Sequence, residues 1–271
     1  MMSIRENNKR APVLYLPHGG GPLPVLGEPG HQKITTFLKS LSTSIPRPDA
    51  ILIISAHWET EKPKLTSAAQ PPLFYDYYGF PDEAYQITYP APGQVELAEK
   101  VRALLGESSI EAVLDPQRGF DHGVFIPLKL IYPQADIPCV QLSMKKGLNP
   151  QEQIDMGRAI APLRKNNVLI IGSGLSFHNM QALMRPKLGK DEGNEAFHDW
   201  LIETCSDENL EESTRQKRLI NWQKAPFARY AHPREEHLLP LHVCYGASES
   251  AASVIFDDVM MGKKVCGFQW S

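Results

Sequence analysis

Cysteine is scarce in this sequence, and no apolar run is long. The four cysteines among the 271 residues are widely spaced and form no C-x-x-C pair, which excludes a zinc ribbon or a dithiol redox motif and favours buried, reduced thiols. No apolar run approaches the roughly 18 residues that cross a bilayer. The opening segment, MMSIRENNKR, lacks the apolar centre of a signal peptide. We therefore expect a cytoplasmic protein with no membrane-embedded part.

Neither sign of charge dominates the sequence. The 28 basic and 31 acidic side chains leave a formal net charge of −3, which argues against a nucleic-acid binder, because such proteins carry a basic surface. Hydrophobic residues make up 42% and charged residues 22% of the chain, as in ordinary globular proteins. We expect a polar N-terminal tail over residues 1–10 and one domain over residues 11–271, and the sequence leaves the oligomeric state open.

Short apolar runs alternate with stretches of helical periodicity. The apolar runs predict strands at residues 13–16, 50–56, 137–142, 168–171, 252–256 and 265–270. Apolar residues at helical spacing predict helices at 32–41, 94–105, 124–131 and 150–163, and the charged stretch 190–222 predicts solvated helices. This alternation predicts an α/β fold whose central sheet is largely parallel or mixed and is flanked by helices.

A histidine and three glycines follow the first predicted strand, in the sequence LPHGGGP. The glycines allow backbone turns closed to other residues and leave the space above the imidazole of His18 free, which suits a metal ligand or a ligand cradle. HGGG is also the oxyanion-hole motif of lipase-type hydrolases, which need a G-x-S-x-G nucleophile elbow. The nearest run, residues 172–176, has its glycines in the wrong register.

Three of the nine histidines, His18, His57 and His178, each follow a predicted strand. Because ligands of open α/β sheets bind beyond the carboxyl ends of the strands, we expect these imidazoles to share one site. Neutral imidazoles suit Fe, Zn, Cu or Ni. His237, near a predicted helix start, is the further candidate ligand. The remaining four histidines are interpreted as surface or structural residues: His31, His198, His232 and His242.

Residues 71–92, PPLFYDYYGFPDEAYQITYPAP, are rich in tyrosine, phenylalanine and proline and show neither strand nor helix periodicity. One interpretation is a proline-stiffened surface loop packed by its own aromatic rings. The other is a lid or wall for an aromatic substrate, with Tyr75 and Tyr78 contacting that substrate and Tyr77 and Phe80 offering further stacking faces.

Five motifs between residue 16 and about residue 243 resemble those of one enzyme family. In chain order they are LPHGGGP, SAHWE, GFDHG, GSGLSFHN and EEHLLPLHV. Together they resemble the class III extradiol ring-cleavage dioxygenases, in the LigB-like group typified by DOPA 4,5-dioxygenase. The resemblance implies a non-haem Fe(II) enzyme that opens a substituted, DOPA-like catechol beside its two hydroxyls with O₂. Some members of the family are recovered with Zn(II) in the same site.

The resemblance also implies roles for individual residues. His18, His57 and His237 would bind the metal, and His178 would be the active-site base. His122 would contact substrate or pass a proton, while Asp121 would lie at the substrate and orient His122, as carboxylates orient histidines elsewhere. Protocatechuate-type members of the superfamily place Glu at the position of His237. Three neutral ligands leave the metal site with a net charge of +2, which favours binding of an anionic catecholate and also allows zinc to bind.

Two other classes of function stay open at this point. A zinc hydrolase would use the same histidines to activate water. A Memo-like protein would be a non-enzymatic binder with a similar fold. Oxygen uptake with a catechol separates the dioxygenase from both.

Overall fold

The structure is a computed structural model that describes residues 10–184 and 189–271. Its eight strands are β1 Val13–Pro17, β2 Ala50–Thr60, β3 Lys64–Thr66, β4 Val113–Asp115, β5 Cys139–Lys145, β6 Val168–Gly174, β7 Ser253–Met260 and β8 Lys263–Trp270. They form one sheet in the order β4-β3-β5-β2-β6-β1-β8-β7. Residues 1–9, most of the expected polar tail, lie outside the described residues.

The α-helices of the described residues cover the sheet and its edges. They are α1 Leu23–Leu26, α2 Gln32–Ser44, α3 Val95–Glu107, α4 His122–Ile131, α5 Pro150–Ile160, α6 Met180–Met184, α7 Glu192–Ser206, α8 Glu212–Ile220, α9 Ala228–Ala231 and α10 Leu239–Gly246. Among them we find no helix with the length and apolar character that a membrane span needs.

The four central strands, β5, β2, β6 and β1, run parallel to one another. Every residue of β1 and β6 is buried, because both faces of these strands are covered, as is usual for parallel strands. Antiparallel pairs join β8 and β7 at one side and β3 at the other. The predicted α/β class with a mixed sheet is confirmed. One hydrophobic cluster extends from Val13 to Trp270, so the described residues form a single domain.

The second strand is longer than the sequence predicts, and it contains His57. The expectation that His57 follows the strand end is therefore corrected. Pairing of β2 with β6 stops at Ser55, opposite Ser173, while the register with β5 shifts between Ile54 and Glu59. Such an irregularity bends a strand and redirects side chains. The side chain of His57 thus enters the same cavity as that of His18, although the strand continues past His57.

The four cysteines are buried free thiols, as predicted. Burial raises the pKa of the Cys139 thiol to about 12, and a protonated, enclosed thiol is unreactive.

Candidate active site

Five of the nine histidines line one cavity at the carboxyl edge of the parallel strands. The cavity measures about 350 Å³, within the range of about 300–1,000 Å³ that is usual for small-molecule sites. Its histidines are His18, His57, His122, His178 and His237. The structure therefore brings together all five histidines for which the sequence suggests a site role.

His18 enters the cavity directly after β1. Its backbone N–H donates to the carbonyl oxygen of Gly174 (3.1 Å), at the end of β6. Its Nδ1 lies 2.9 Å from Oγ of Ser173, and the Ser173 hydroxyl donates its own proton to the carbonyl of Gly123. Nδ1 of His18 therefore carries a proton and donates it, which leaves the lone pair of Nε2 free for a ligand.

The glycine loop after His18 is held in place by His31. Nε2 of His31 accepts a hydrogen bond from the backbone N–H of Gly20 (3.0 Å), and Nδ1 donates to Glu28 (2.5 Å). Gly19 has a φ of +83°, and a Cβ there would lie 2.5 Å from Cγ of Pro24. Only glycine fits this turn, so the motif keeps the space beside His18 free of side chains.

His57 is supported through its backbone. The N–H of His57 donates to Oγ of Ser55 (3.2 Å), and the Ser55 hydroxyl donates to Oδ1 of Asp121 (2.7 Å). The ring places Nε2 of His57 3.2 Å from Nε2 of His18. Its Nδ1 lies 3.8 Å from Oδ2 of Asp76.

His237 lies just before α10, and its backbone is fixed to the sheet. Its carbonyl accepts hydrogen bonds from the N–H of Leu175 (3.1 Å) and from the hydroxyl of Tyr15 (2.8 Å). A Cβ on Gly174 would lie 2.1 Å from the same carbonyl oxygen, so this approach needs glycine. Nδ1 of His237 donates to Oε1 of Glu236 (2.9 Å), which leaves Nε2 free to bind a metal.

The rings of His18, His57 and His237 are spaced as ligands of one ion would be. Their centroids lie 5.0, 5.3 and 4.9 Å apart. Two nitrogens that each lie about 2.1 Å from one metal are themselves about 3 Å apart, close to the 3.2 Å between the Nε2 atoms of His18 and His57. His18 and His57 are therefore close enough to bind one divalent transition metal together, and the ring of His237 lies beside both of them.

His122 competes with His237 for the place of third ligand. The nitrogens of His18, His57 and His122 lie within 4.8 Å of one another, and the rings of His57 and His122 are 3.9 Å apart. A second group with the same spacing joins His178, Glu236 and His237. The geometry alone allows either third ligand.

Burial holds the pKa of His18, His57 and His237 well below its ordinary value. Repulsion among the neighbouring imidazoles lowers these pKa values further, and for His57 the charge of Asp76 opposes the effect. All three rings are therefore neutral at neutral pH, the state in which imidazole binds a metal.

Asp76 fixes His122. Its Oδ1 accepts hydrogen bonds from the backbone N–H (2.9 Å) and from Nδ1 (2.8 Å) of His122. Burial by itself raises the pKa of Asp76, but the hydrogen bonds from His122 and the nearby imidazoles outweigh it and lower that pKa. The carboxylate therefore stays ionised and holds Nδ1 of His122 as a donor, which leaves Nε2 facing other partners.

Asp121 is not placed where the sequence suggests. It is fully buried, accepts hydrogen bonds from Ser55 and Gln141, and pairs with Arg118 (3.2 Å). It does not line the cavity, and Asp76 instead of Asp121 bonds to the ring of His122. The expectation for Asp121 is thus corrected: it supports the backbone of His57 through Ser55.

His178 stacks on His237, with ring centroids 3.4 Å apart and an interplanar angle of 19°. Its Nδ1 lies 3.1 Å from Oε1 of Glu236, the oxygen that also accepts from His237. Burial by itself raises the pKa of Glu236, but the hydrogen bond from His178 and nearby positive charge outweigh it and lower that pKa. The ionised Glu236 orients both rings, and Nε2 of His178 can accept a proton.

The aromatic segment contributes residues to the cavity, but not the two that the sequence favours. Tyr77 and Phe80 line the cavity. The Tyr75 hydroxyl instead donates to the carbonyl of Ile87 (2.7 Å), and Tyr78 is 90% exposed. Neither Tyr75 nor Tyr78 lines the cavity.

The other histidines bond to the protein away from the cavity. His198 pairs with Asp257 (2.9 Å). His232 donates to the carbonyl of Ser176 (3.0 Å) and His242 to that of Leu219 (2.9 Å). Together with His31 they hold loops and helix ends in place.

Sequence reasoning missed Asp76 and the apolar wall of the cavity. A lone carboxylate within the aromatic run FYDYYGF was the available signal for Asp76. The wall includes Met180, Met184, Met260 and Met261. These methionines lie in two segments about 80 residues apart, and the helical period of Met180 and Met184 spans a single turn, which is too short to mark them in advance.

A cavity lined by five imidazoles at the carboxyl edge of the parallel strands is the kind of site that binds a transition metal. Comparison with known families agrees: the family model described as the catalytic LigB subunit of aromatic ring-opening dioxygenase matches residues 12–265. The chain belongs to the LigB family.

Three named relatives align over 90% or more of the chain. A dioxygenase of Hapsidospora irregularis, tasH, is 40% identical over 96% of this chain and 85% of its own length. The 4,5-DOPA dioxygenase extradiol of Beta vulgaris is 38% identical over 91% of this chain and 90% of its own length. The protein of the same name from Escherichia coli K12 is 34% identical over 90% of this chain and 88% of its own length.

A solved structure supports the same fold. The crystal structure of an uncharacterized protein from Escherichia coli K12 superposes with a TM-score of 0.80 at 28% identity, covering 97% of this chain and 100% of its own. The predicted family and the predicted class, an extradiol ring-cleavage dioxygenase, are confirmed. Dioxygenases of this family depend on a metal and act on aromatic compounds with O₂.

Proposed function

We propose that this enzyme opens the ring of a substituted catechol with O₂, beside the two hydroxyls, and that Fe(II) is its metal. The observation that carries the proposal is the convergence of five imidazoles on one cavity, with Nδ1 of His18 and of His237 each bonded to an oxygen. Relatives named 4,5-DOPA dioxygenase extradiol support a catechol as the substrate.

The metal would be held by His18, His57 and His237. The hydrogen bonds at Nδ1 of His18 and His237 fix their ring orientation, as partners of metal-bound histidines do. His122 is assigned to proton transfer because its motif, GFDHG, resembles the family motif whose histidine contacts substrate or passes a proton. The bond from its Nδ1 to Asp76 orients the ring in either role.

When bound, the metal supplies Lewis acidity toward the catechol hydroxyls and electron exchange with O₂. Iron is the proposed occupant because zinc has no redox chemistry. The overall reaction balances with both oxygen atoms retained: one ring carbon–carbon bond is broken, and the product is a ring-opened semialdehyde acid formed from one catechol and one O₂.

His178 would act as the general base. Glu236 accepts from Nδ1 of His178, so Nε2 is free to take the proton of a catechol hydroxyl. The ionised carboxylate then stabilises the imidazolium that forms. Such a base typically accelerates a step by about 10²–10⁴-fold.

His122 would return a proton during ring opening. Asp76 holds its Nδ1, and the ring lies 5.8 Å, centroid to centroid, from Tyr77, at the side where the aromatic wall meets the histidines. Tyr77 and Phe80 would face the substrate ring. They replace Tyr75 and Tyr78, the residues first expected to contact the substrate.

The test is anaerobic loading with Fe(II), followed by a panel of catechols in air. We expect oxygen uptake and a yellow semialdehyde product. The matched control is His198→Gln, which changes a buried histidine outside the cavity and should leave product formation in place. Hydrolysis of an ester or amide without oxygen uptake would favour a zinc hydrolase. The absence of both activities would favour a binding protein.

A further inference from the structure

The cavity has a second wall that the proposed chemistry does not use. Besides the histidines and aromatic residues, the lining contains side chains that are aliphatic or contain a thioether. They are Leu23, Leu175, Met180, Leu183, Met184, Met260 and Met261. Methionine is flexible and polarizable, so a wall rich in it adapts to apolar groups of different shape.

Helix α6 provides the outer part of this wall. Met180, Leu183 and Met184 are spaced i, i+3 and i+4, so they share one helix face. Leu183 is buried, whereas Met180 is 49% and Met184 69% exposed. An apolar face of a helix usually packs against the core, and here most of it is left open at the cavity.

The position of α6 is fixed relative to the proposed base. The N–H of His178 donates to the carbonyl of Ala231 (3.0 Å), and Asn179 bonds to the carbonyl of Tyr230 (2.8 Å) and to the N–H of Ala182 (3.1 Å). Helix α6 therefore begins at Met180, two residues after His178, and these hydrogen bonds hold its backbone in place. A substituent on a ring bound beside His178 would meet this face.

The turn between β7 and β8 provides the inner part of the wall. Met260 is buried, and the N–H of Met261 donates to the carbonyl of Gly30 (3.1 Å). A Cβ on Gly30 would lie 3.3 Å from Cγ of Met261, so the methionine packs against the segment that follows the glycine loop.

Within residues 10–184 and 189–271, the lining of the cavity contains no permanently charged group. Among the described residues that line the cavity, histidines are the only titratable side chains apart from Tyr77, and no Lys, Arg, Asp or Glu is present. A charged substituent would lose its hydration at this wall without gaining a partner, which is costly. A cavity of about 350 Å³ suits one ring with a short substituent.

We infer that the substrate is a catechol with an apolar alkyl or aryl substituent, and that the methionine wall, defined as Met180, Met184, Met260 and Met261, selects it. This inference rests on the proposed function. It differs from that function in naming an uncharged tail instead of the amino-acid tail of DOPA.

The test compares four catechols with tails of similar length: 4-propylcatechol, 3,4-dihydroxyphenylpropionate, dopamine and DOPA. We expect kcat/KM to be highest for 4-propylcatechol and at least about tenfold lower for each charged analogue. Along 4-methyl-, 4-ethyl- and 4-propylcatechol, kcat/KM should rise about threefold to fourfold for each methylene. Calorimetric Kd values for the zinc-loaded enzyme under nitrogen should follow the same order without turnover.

The variant Met184→Lys tests the wall directly, because this exposed position accepts a longer polar side chain. It should reduce kcat/KM for 4-propylcatechol and shift the preference toward 3,4-dihydroxyphenylpropionate. Val113→Lys, a similar change at an exposed position on the edge strand β4, is the matched control and should leave the order of substrates unaltered.

A preference for DOPA or for the propionate over 4-propylcatechol in the wild type would overturn the inference.

Arg185 and Lys187 follow Met184 in the sequence and lie outside the described residues. The double variant Arg185→Gln/Lys187→Gln should keep the preference for 4-propylcatechol, and a loss of that preference would also contradict the methionine wall. The whole panel separates the two proposals: if none of the four substituted catechols is cleaved, the proposed function fails, whereas cleavage with a preference for charged tails contradicts only the inference of an apolar tail.

Discussion

His57 occupies the centre of the histidine cluster, with its Nε2 3.2 Å from that of His18. We expect His57→Ala to lose most of the bound metal, because removing one of three ligands weakens the site strongly. Elemental analysis after dialysis measures this, with His198→Gln as the control that keeps its metal. Full retention of metal by His57→Ala would remove His57 from the ligand set.

The choice between His237 and His122 as third ligand is tested in the same way. We expect His237→Ala to lose metal and His122→Ala to retain it, since the motif resemblance makes His237 the ligand and His122 the proton carrier. The opposite pattern would make His122 the ligand.

His178 differs from the ligands in what its loss should do. His178→Ala should keep close to wild-type metal content and still bind catechol, while kcat falls by about 10²–10⁴-fold, the usual contribution of a general base. Metal analysis and single-turnover rates on the same preparation measure the two effects separately. A metal-free His178→Ala protein would show that His178 is a ligand.

Asp76 is expected to act through His122 and His57. In Asp76→Asn the carboxylate charge is removed but the size of the side chain is kept, so we expect kcat to fall by about tenfold to a hundredfold, as for other carboxylates that orient site histidines. Unfolding temperature should change little. Asp82→Asn, an exposed change in the same aromatic segment, is the control, and equal effects of the two variants would contradict the positioning role.

At the scale of elements, the site depends on the close approach of β6 to the segment before α10. A methyl group at residue 174 would meet the carbonyl oxygen of His237 at 2.1 Å, and neither backbone can yield easily. Gly174→Ala should therefore lower the free energy of unfolding by about 1–3 kcal/mol or more and weaken metal binding, because His237 is displaced.

The control for this change is Gly106→Ala in α3, where nothing lies within 4 Å of an added Cβ. It should be neutral or stabilising by up to about 1 kcal/mol. Chemical denaturation of both variants measures the difference, and a neutral Gly174→Ala would show that the two segments are not held so tightly.

Elements with a strong apolar pattern could be predicted from the sequence. β1, β6 and α2 lie where their apolar runs and periods place them. The short strands β3 and β4, at one side of the sheet, were missed, since three residues each carry no period. The end of β2 was misplaced because its extension beyond Ser55 depends on pairing with β5, a contact that local sequence does not encode.

The residues of the site also divide into those that local sequence marks and those that only the folded chain brings together. His18, His57, His122, His178 and His237 were identified because motif and strand position mark them. Asp76 was not, because it lies 46 residues from the histidine that it binds, and only the folded chain brings the two together.

For the whole molecule, buried histidines make stability depend on pH. Burial lowers the pKa of His242 to about 4, against 6.5 for an unburied histidine. Below about pH 6.5 the unfolded chain therefore binds a proton at His242 that the folded chain does not bind. The contribution of His242 to the free energy of unfolding is complete above about pH 6.5 and is lost as the pH falls toward 4. The loss from His242 is on the order of 3 kcal/mol.

Thermal unfolding of wild type and His242→Gln between pH 7 and pH 4 tests this linkage, where the range follows from the pKa values of His242. Gln can still donate to the carbonyl of Leu219 but does not titrate, so the variant should lose less stability on acidification. Equal losses in the two proteins would contradict the assignment.

The central claim is that the histidine site incorporates both atoms of O₂ into one ring-opened product. Single turnover of the Fe(II)-loaded enzyme with catechol under isotopically labelled oxygen gas, followed by mass spectrometry of the product, tests it most directly. We predict one O₂ consumed per catechol and both labelled atoms in a product whose aldehyde is reduced at once to the alcohol, before its oxygen exchanges with water. We predict no product from His57→Ala. Label from water in place of the second oxygen atom, or an unopened ring from enzyme that holds its iron, would contradict the claim.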